Sequence, residues 1–125
     1  MMKQVLQTES APKAIGPYSQ AIATDTMVFT SGQLGVDIKT GKLAQGVEAQ
    51  AACALQNLGS ILTAQGLTYQ NIVKTTVFLT DMADFSAVNA VYQGFFSSEY
   101  PARSCVQVAA LPMGASVEIE CIAIR

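Results

Sequence analysis

The chain has 125 residues, half of them hydrophobic and only 13% charged, with seven basic residues against nine acidic and no histidine. That is enough for one domain, 1–125, with a single core. The net charge of −2 and the scattered lysines exclude the basic footprint of a nucleic-acid binder. No apolar run is long enough for a membrane span.

Without histidine, neither a Ser-His or Cys-His catalytic unit nor a histidine-bound zinc is available. Cys53, Cys105 and Cys121 form no CxxC pair and no metal-ligand spacing, so no metal is expected. An odd cysteine count, and an opening segment Met1 to Gln7 without the apolar stretch of a signal peptide, fit a reducing cytoplasm. A surface this poor in charge points to apolar area covered by further copies of the chain.

Strand-like pieces come first: Lys3 to Gln7, Ala21 to Ala23 and Met27 to Ser31. The prolines and glycine of Ala11 to Ser19 predict an ordered loop, and Asp25-Thr26 a tight hairpin turn. Val36 to Lys42 reads as a surface turn. Apolar residues then recur at helical steps (Val47, Ala51, Ala54, Leu55, Leu58, Ile61, Leu62), predicting an amphipathic helix that stops at Gly66. Ile72 to Thr80 is a β-branched strand. A second helix, capped near Asp84, carries Phe85, Val88, Tyr92, Phe95 and Phe96 on one face. Two strands close the chain, Arg103 to Ala109 and Val117 to Ile124, joined by Leu111 to Ser116. The order predicts an α+β fold, one mixed sheet with two helices packed on one face. The other face is too apolar for water, which again predicts sheets packed together in an oligomer.

Two anomalies mark the last strands. Arg103 is one of two arginines, the other being the terminal Arg125, and no acidic residue lies near it in sequence. A guanidinium keeps its charge, so in apolar surroundings it needs an anion, from the protein or from a ligand. Glu118 and Glu120 sit inside the apolar run Val117 to Ile124. Alternation puts Arg103, Cys105 and Gln107 on one face and sets Glu118 and Glu120 together. If the two last strands pair, Arg103 and a glutamate share a face, as an internal salt bridge or as two ends of a small pocket. Further candidates each have a bland alternative. Tyr18, in Gly16-Pro-Tyr-Ser19, is aimed into a cleft or merely packed. Asn89 on the second helix binds a ligand or is simply exposed. Cys105 is better read as an inert thiol than a reactive one. Thr30-Ser-Gly-Gln33, with Ser31 and Gly32, is an anion-binding turn or a plain one. Met113-Gly114 is a plain turn.

Pro101-Ala-Arg-Ser-Cys-Val106 followed by Val117-Glu-Ile-Glu120 resembles the signature of the RidA (YjgF) family. So do Ala14-Ile-Gly-Pro-Tyr-Ser19, Phe29-Thr-Ser-Gly-Gln33 and Lys74 to Met82, with Phe85 and Val88-Asn-Ala90 after them. The resemblance runs almost end to end. It implies a chorismate-mutase-like α+β fold (related to the ferredoxin-like one), a homotrimer and active sites between subunits. It also implies cofactor-independent hydrolysis of reactive 2-imino or enamine acids, such as 2-iminobutanoate and 2-iminopropanoate, to 2-oxo acids and ammonia. Carried over by position, Arg103 grips the substrate carboxylate, Glu118 attends the catalytic water and Tyr18 closes the cleft. Ser31, Gly32, Asn89 and Cys105 match pocket-lining positions. A segment Phe96 to Tyr100 shorter than in several relatives bears on substrate size. The competing reading is a non-enzymatic sensor or binding protein for small 2-oxo or other carboxylic acids, using the same cleft.

Overall fold

The hairpin expected at Asp25-Thr26 starts the sheet. In the computed structural model, which describes residues 3–125 and so leaves Met1 and Met2 of the opening segment outside, β2 (Ala21–Ala23) turns back into β3 (Met27–Thr30). The Met27 amide donates to the Thr24 hydroxyl at 3.0 Å and closes that turn. β1 (Gln4–Leu6) pairs outside β2. After β4 (Gln33–Leu34), the segment expected to be only a turn forms a small two-stranded sheet of β5 (Val36–Asp37) and β6 (Lys42–Leu43). Both strands are two residues long, too short to show alternation in a sequence.

The first helix, α1 (Val47–Thr63), buries Ala51, Ala54, Leu55, Leu58, Ile61 and Leu62, the stripe its sequence period marks. It ends where Gly66 takes the left-handed conformation, φ 72°. β7 (Ile72–Leu79) follows, then a 3-10 turn over Met82–Asp84 and α2 (Phe85–Gln93). Asp84 makes no side-chain cap. It is the Asp81 carboxylate that accepts from the Ala83 amide, at 2.9 Å, one turn earlier. Since α2 stops at Gln93, Phe95 and Phe96 lie beyond the helix, and its own buried residues are Val88 and Tyr92. β8 (Ala102–Gln107) and β9 (Val117–Ile124) complete the chain, separated by a 3-10 turn at Pro112–Gly114.

The main sheet runs β1-β2-β3-β9-β7-β8, with β4 also on β9; β7 and β8 are parallel and the other neighbours antiparallel. This mixed sheet carries both helices on one face, where Val28, Val77, Leu79, Val117 and Ile119 meet α1 and α2. The last two strands therefore do not pair. Strand β7, helix α2 and strand β8 form a β-α-β unit, whose crossover makes its strands parallel neighbours. β8 is thereby placed at the edge, and β9 on the far side of β7. A register shift between Ile72 and Lys74 leaves Val73 extra, so that Ile72 and Thr75 both face the core.

Among the described residues the opposite face carries no helix. Phe29, Val106 and Ile124 are exposed there, beside the half-buried Ile22, Phe78 and Ile122 and the polar Lys74, Thr76, Glu118 and Glu120. No helix among the described residues is long and apolar enough to cross a membrane.

Candidate active site

The expected site residues fall into two groups on opposite faces of the sheet. The first gathers around the loop before β2. Buried Gln20 organises this loop, accepting from the Thr8 amide at 2.7 Å and donating to the carbonyls of Thr8, Ala11 and Pro12 at 3.1, 3.3 and 2.8 Å. The prolines and Gly16 then turn the chain so that Tyr18, half exposed, lines a cavity of about 780 Å³ together with Gly32 and Glu118. Ser31 stands beside Gly32 but serves the loop. Its hydroxyl donates to the Ser19 carbonyl at 2.6 Å and its amide to the Gln20 carbonyl at 2.9 Å.

Gly32 and Glu118 are in close approach. A β-carbon at residue 32 would stand 2.7 Å from the Glu118 carboxyl carbon and Oε2, so only glycine leaves room for that carboxylate. Burial raises the Glu118 carboxyl above the ordinary glutamate range, and the neighbouring charge of Glu120 raises it further. The rest of the cavity wall is mostly apolar, including Ile15, Leu34, Val36, Ile38 and Met113. Met113 belongs to the turn that reads as plain. It is a non-glycine residue with φ 60°, and its side chain is exposed. Nothing in its local sequence announces that conformation.

The second group lies on the helix side. In β7–β8 register, Arg103 is opposite Thr75 and Cys105 opposite Val77, both core-facing positions. Arg103 Nη1 donates to Asn89 Oδ1 at 2.7 Å. The guanidinium carbon lies 4.9 Å from the centroid of the Tyr92 ring and 5.5 Å from that of Phe85. The Tyr92 hydroxyl shares a 2.7 Å hydrogen bond with Thr75 Oγ1. Cys105 is half-buried, and burial raises its thiol while the Arg103 charge opposes the rise. A protonated thiol at neutral pH agrees with the inert reading.

Arg103 and Glu118 thus do not share a face, as strand pairing would have required. Glu118 is opposite Phe78 on the open side, with β7 between the two strands. Three residues along the strands and two strand spacings across separate their backbones by roughly 14 Å. The internal Arg–Glu salt bridge is ruled out. The partners of Arg103 are an amide oxygen and two ring faces, none of them an anion. Missing from the sequence-derived list are Thr75, Phe85 and Tyr92. The signal for two of them was present: Phe85, Asn89 and Tyr92 stand at i, i+4 and i+7. Among the described residues no three His, Cys, Asp or Glu side chains converge as a metal site.

A mixed sheet backed by two helices, with an arginine that pairs with no carboxylate of its own chain and a carboxyl above its ordinary range, defines the class as α+β. Residues 8–125 match the family described as Endoribonuclease L-PSP, and the chain belongs to that family, the RidA family of its sequence resemblance. It is 48% identical over 126 residues to the human 2-iminobutanoate/2-iminopropanoate deaminase, covering all of this chain and 92% of that one. It is 51% identical over 127 residues to the Salmonella typhimurium protein of the same name, covering 99% of each. Escherichia coli TdcF with bound serine superposes with a TM-score of 0.95 at 47% identity, over 98% of each chain. The YjgF gene product of E. coli gives 0.95 at 48% identity, again over 98% of each.

Proposed function

We infer that the protein is a hydrolytic deaminase of reactive 2-imino acids, 2-iminobutanoate and 2-iminopropanoate among them, and that its site is composite, formed between copies of the chain. The deaminase reading is supported by relatives of that name at about half identity along the whole chain. The composite site is supported by one observation above all. Arg103 with Asn89, and Glu118 with Tyr18 and Gly32, are two incomplete half-sites on opposite faces. One chain cannot bring them together, whereas a second copy can set its Glu118 face against Arg103. The exposed Phe29, Val106 and Ile124 on the helix-free face provide apolar area for a homotrimer.

In this scheme Arg103 holds the substrate carboxylate through paired N–H donors and fixes the adjoining imine carbon. With the imine nitrogen protonated, Glu118 accepts a proton from water as the water oxygen bonds to that carbon, giving a neutral carbinolamine. It then returns the proton to the amine nitrogen. The C–N bond breaks, the hydroxyl proton leaves with nitrogen as ammonium, and the 2-oxo acid remains. A carboxyl raised above its usual range suits both transfers. Tyr18 covers the pocket and offers a hydroxyl. Ser31 supports the loop that carries Tyr18, and Gly32 clears space for Glu118. The bound serine of E. coli TdcF, an amino acid with a carboxylate, is consistent with an anion at this kind of site.

The family description names RNA cleavage, but seven basic residues against nine acidic and no histidine favour the small carboxylate. Three free cysteines suit a cytoplasmic location. Threonine dehydratase supplied with threonine releases the substrate in situ. Addition of the protein should speed the appearance of 2-oxobutanoate, and an unchanged rate would reject the enzyme in favour of a binding protein.

A further inference from the structure

One stripe of α2 is devoted to one guanidinium. Phe85, Asn89 and Tyr92 all meet Arg103, through two ring faces and one amide oxygen. The rings attract the cation through their quadrupoles and use none of its N–H groups. Among the described residues only the Nη1 bond to Asn89 is committed, so the hydrogen-bonding edge remains for a carboxylate. A protein carboxylate in the same place would occupy that edge.

The Tyr92 ring is itself fixed. It is buried, and its hydroxyl needs a partner there. Thr75 supplies one at 2.7 Å and is fully buried, in the strand position directly opposite Arg103. Thr75 is β-branched and therefore stiff at χ1. A chain of contacts thus runs from the centre of the sheet, through Thr75 and the Tyr92 ring, to the guanidinium. Arg103 sits on an edge strand with no buried residue, so neighbouring side chains must hold its long stem.

We propose that Thr75, Tyr92 and Phe85 are positioning residues for the deaminase: the Thr75-anchored Tyr92 ring and the Phe85 ring form an aromatic cradle that presents Arg103 to the substrate carboxylate. This rests on the reading of Arg103 as the carboxylate clamp. The cradle acts on binding of the carboxylate, whatever group lies beyond it.

The test compares Thr75→Val, Thr75→Ser, Phe85→Leu and Arg103→Lys in the dehydratase-coupled assay, together with calorimetric binding of 2-oxobutanoate. Thr75→Val keeps the shape and removes the hydroxyl; Thr75→Ser keeps the hydroxyl. Thr75→Val and Phe85→Leu should each raise KM and the 2-oxobutanoate Kd about 2- to 5-fold, the size of a modest cation–π contact, with a smaller change in kcat. Thr75→Ser should restore both constants toward native. Should Thr75→Val fail to fold, Phe85→Leu carries the test alone, because Phe85 is 36% exposed at the start of α2. Native KM and Kd in Phe85→Leu and Thr75→Val, with only a lowered Tm, would overturn the cradle if Arg103→Lys has lost binding. Native binding in Arg103→Lys would instead overturn the clamp and the cradle with it.

Discussion

Arg103 and Glu118 stand on opposite faces of one sheet, with β7 between their strands and roughly 14 Å between their backbones. Two groups so placed cannot serve one small substrate within one chain. Mixed assembly exploits this. Arg103→Lys and Glu118→Gln subunits should each be nearly inactive alone, since an ammonium does not reproduce the planar fork and an amide does not accept the water proton. Co-expressed in equal amounts, they should recover about a quarter of wild-type activity, because one random neighbour pairing in four restores both groups. The check is the coupled assay on the purified mixture, with light scattering at three chain masses. No recovery in the mixed assembly would overturn the proposal that Arg103 and Glu118 of neighbouring subunits share one site.

Glu118 also makes a pH prediction. Its folded carboxyl is raised by burial and by Glu120, so at a pH between the unfolded and folded values the folded state holds a proton that the unfolded state has released. Its contribution to stability is fully present below the unfolded glutamate pKa and is lost as pH rises through the folded value. Glu118→Gln carries no such charge. Its Tm should therefore equal or exceed that of the wild type at neutral pH, and the gap should close on acidification. In the wild type, kcat/KM should rise with pH through the raised Glu118 value, and this acid limb should be absent from residual Glu118→Gln activity. Melting curves and rate profiles across the acid range check both. A wild type that gains stability relative to the variant as pH rises would contradict the burial effect.

Local sequence carried the helices and the long strands. The spacing from Val47 to Leu62 gives α1, and the limits of β9, Val117–Ile124, follow from its alternating apolar residues. The α+β class and the common face of Glu118 and Glu120 follow from the same periodicities. Strand partnership did not, because alternation assigns a residue to a face without naming its neighbour. The topology resolved it: β7, α2 and β8 in succession force β8 parallel to β7, and the supposed Arg–Glu pair separates. The pairing of β4 with β9 sets Gly32 beside Glu118, and Tyr18 joins them on a loop without periodicity that the Gln20 amide holds. Those contacts span distant residues and leave no local mark.

Gly32 tests the space around the Glu118 carboxyl. A methyl at position 32 would meet Glu118 Cδ and Oε2 at 2.7 Å and Cγ at 3.0 Å, all on the movable part of a side chain. The carboxylate can swing aside, so Gly32→Ala should fold with its Tm shifted by only a few degrees. If Glu118 is the base proposed above, the displaced carboxylate would no longer meet the water, and kcat should fall by about 10²-fold, a loss that misplacing a reacting group by about 1 Å can cause. Far-ultraviolet circular dichroism and the coupled assay separate the two effects. Full activity in Gly32→Ala would mean that the Glu118 position is not critical.

Cys105 offers the converse case, a residue at the site that should do no chemistry. It lies two positions after Arg103 on the same face, which makes a thiol mechanism geometrically conceivable. Its electrostatics oppose one. Burial raises the thiol, the opposing influence of Arg103 is the smaller, and no histidine exists to take the proton. At neutral pH the sulfur stays protonated and a poor nucleophile. Cys105→Ala should therefore keep kcat within about 2-fold, with at most a modest loss of stability from a half-buried sulfur at the core margin. Treatment of the native protein with iodoacetamide at pH 7 should likewise leave Cys105 unmodified by peptide mass analysis. Rapid alkylation there with loss of turnover would return the thiol to the mechanism and remove Glu118 from its place as base.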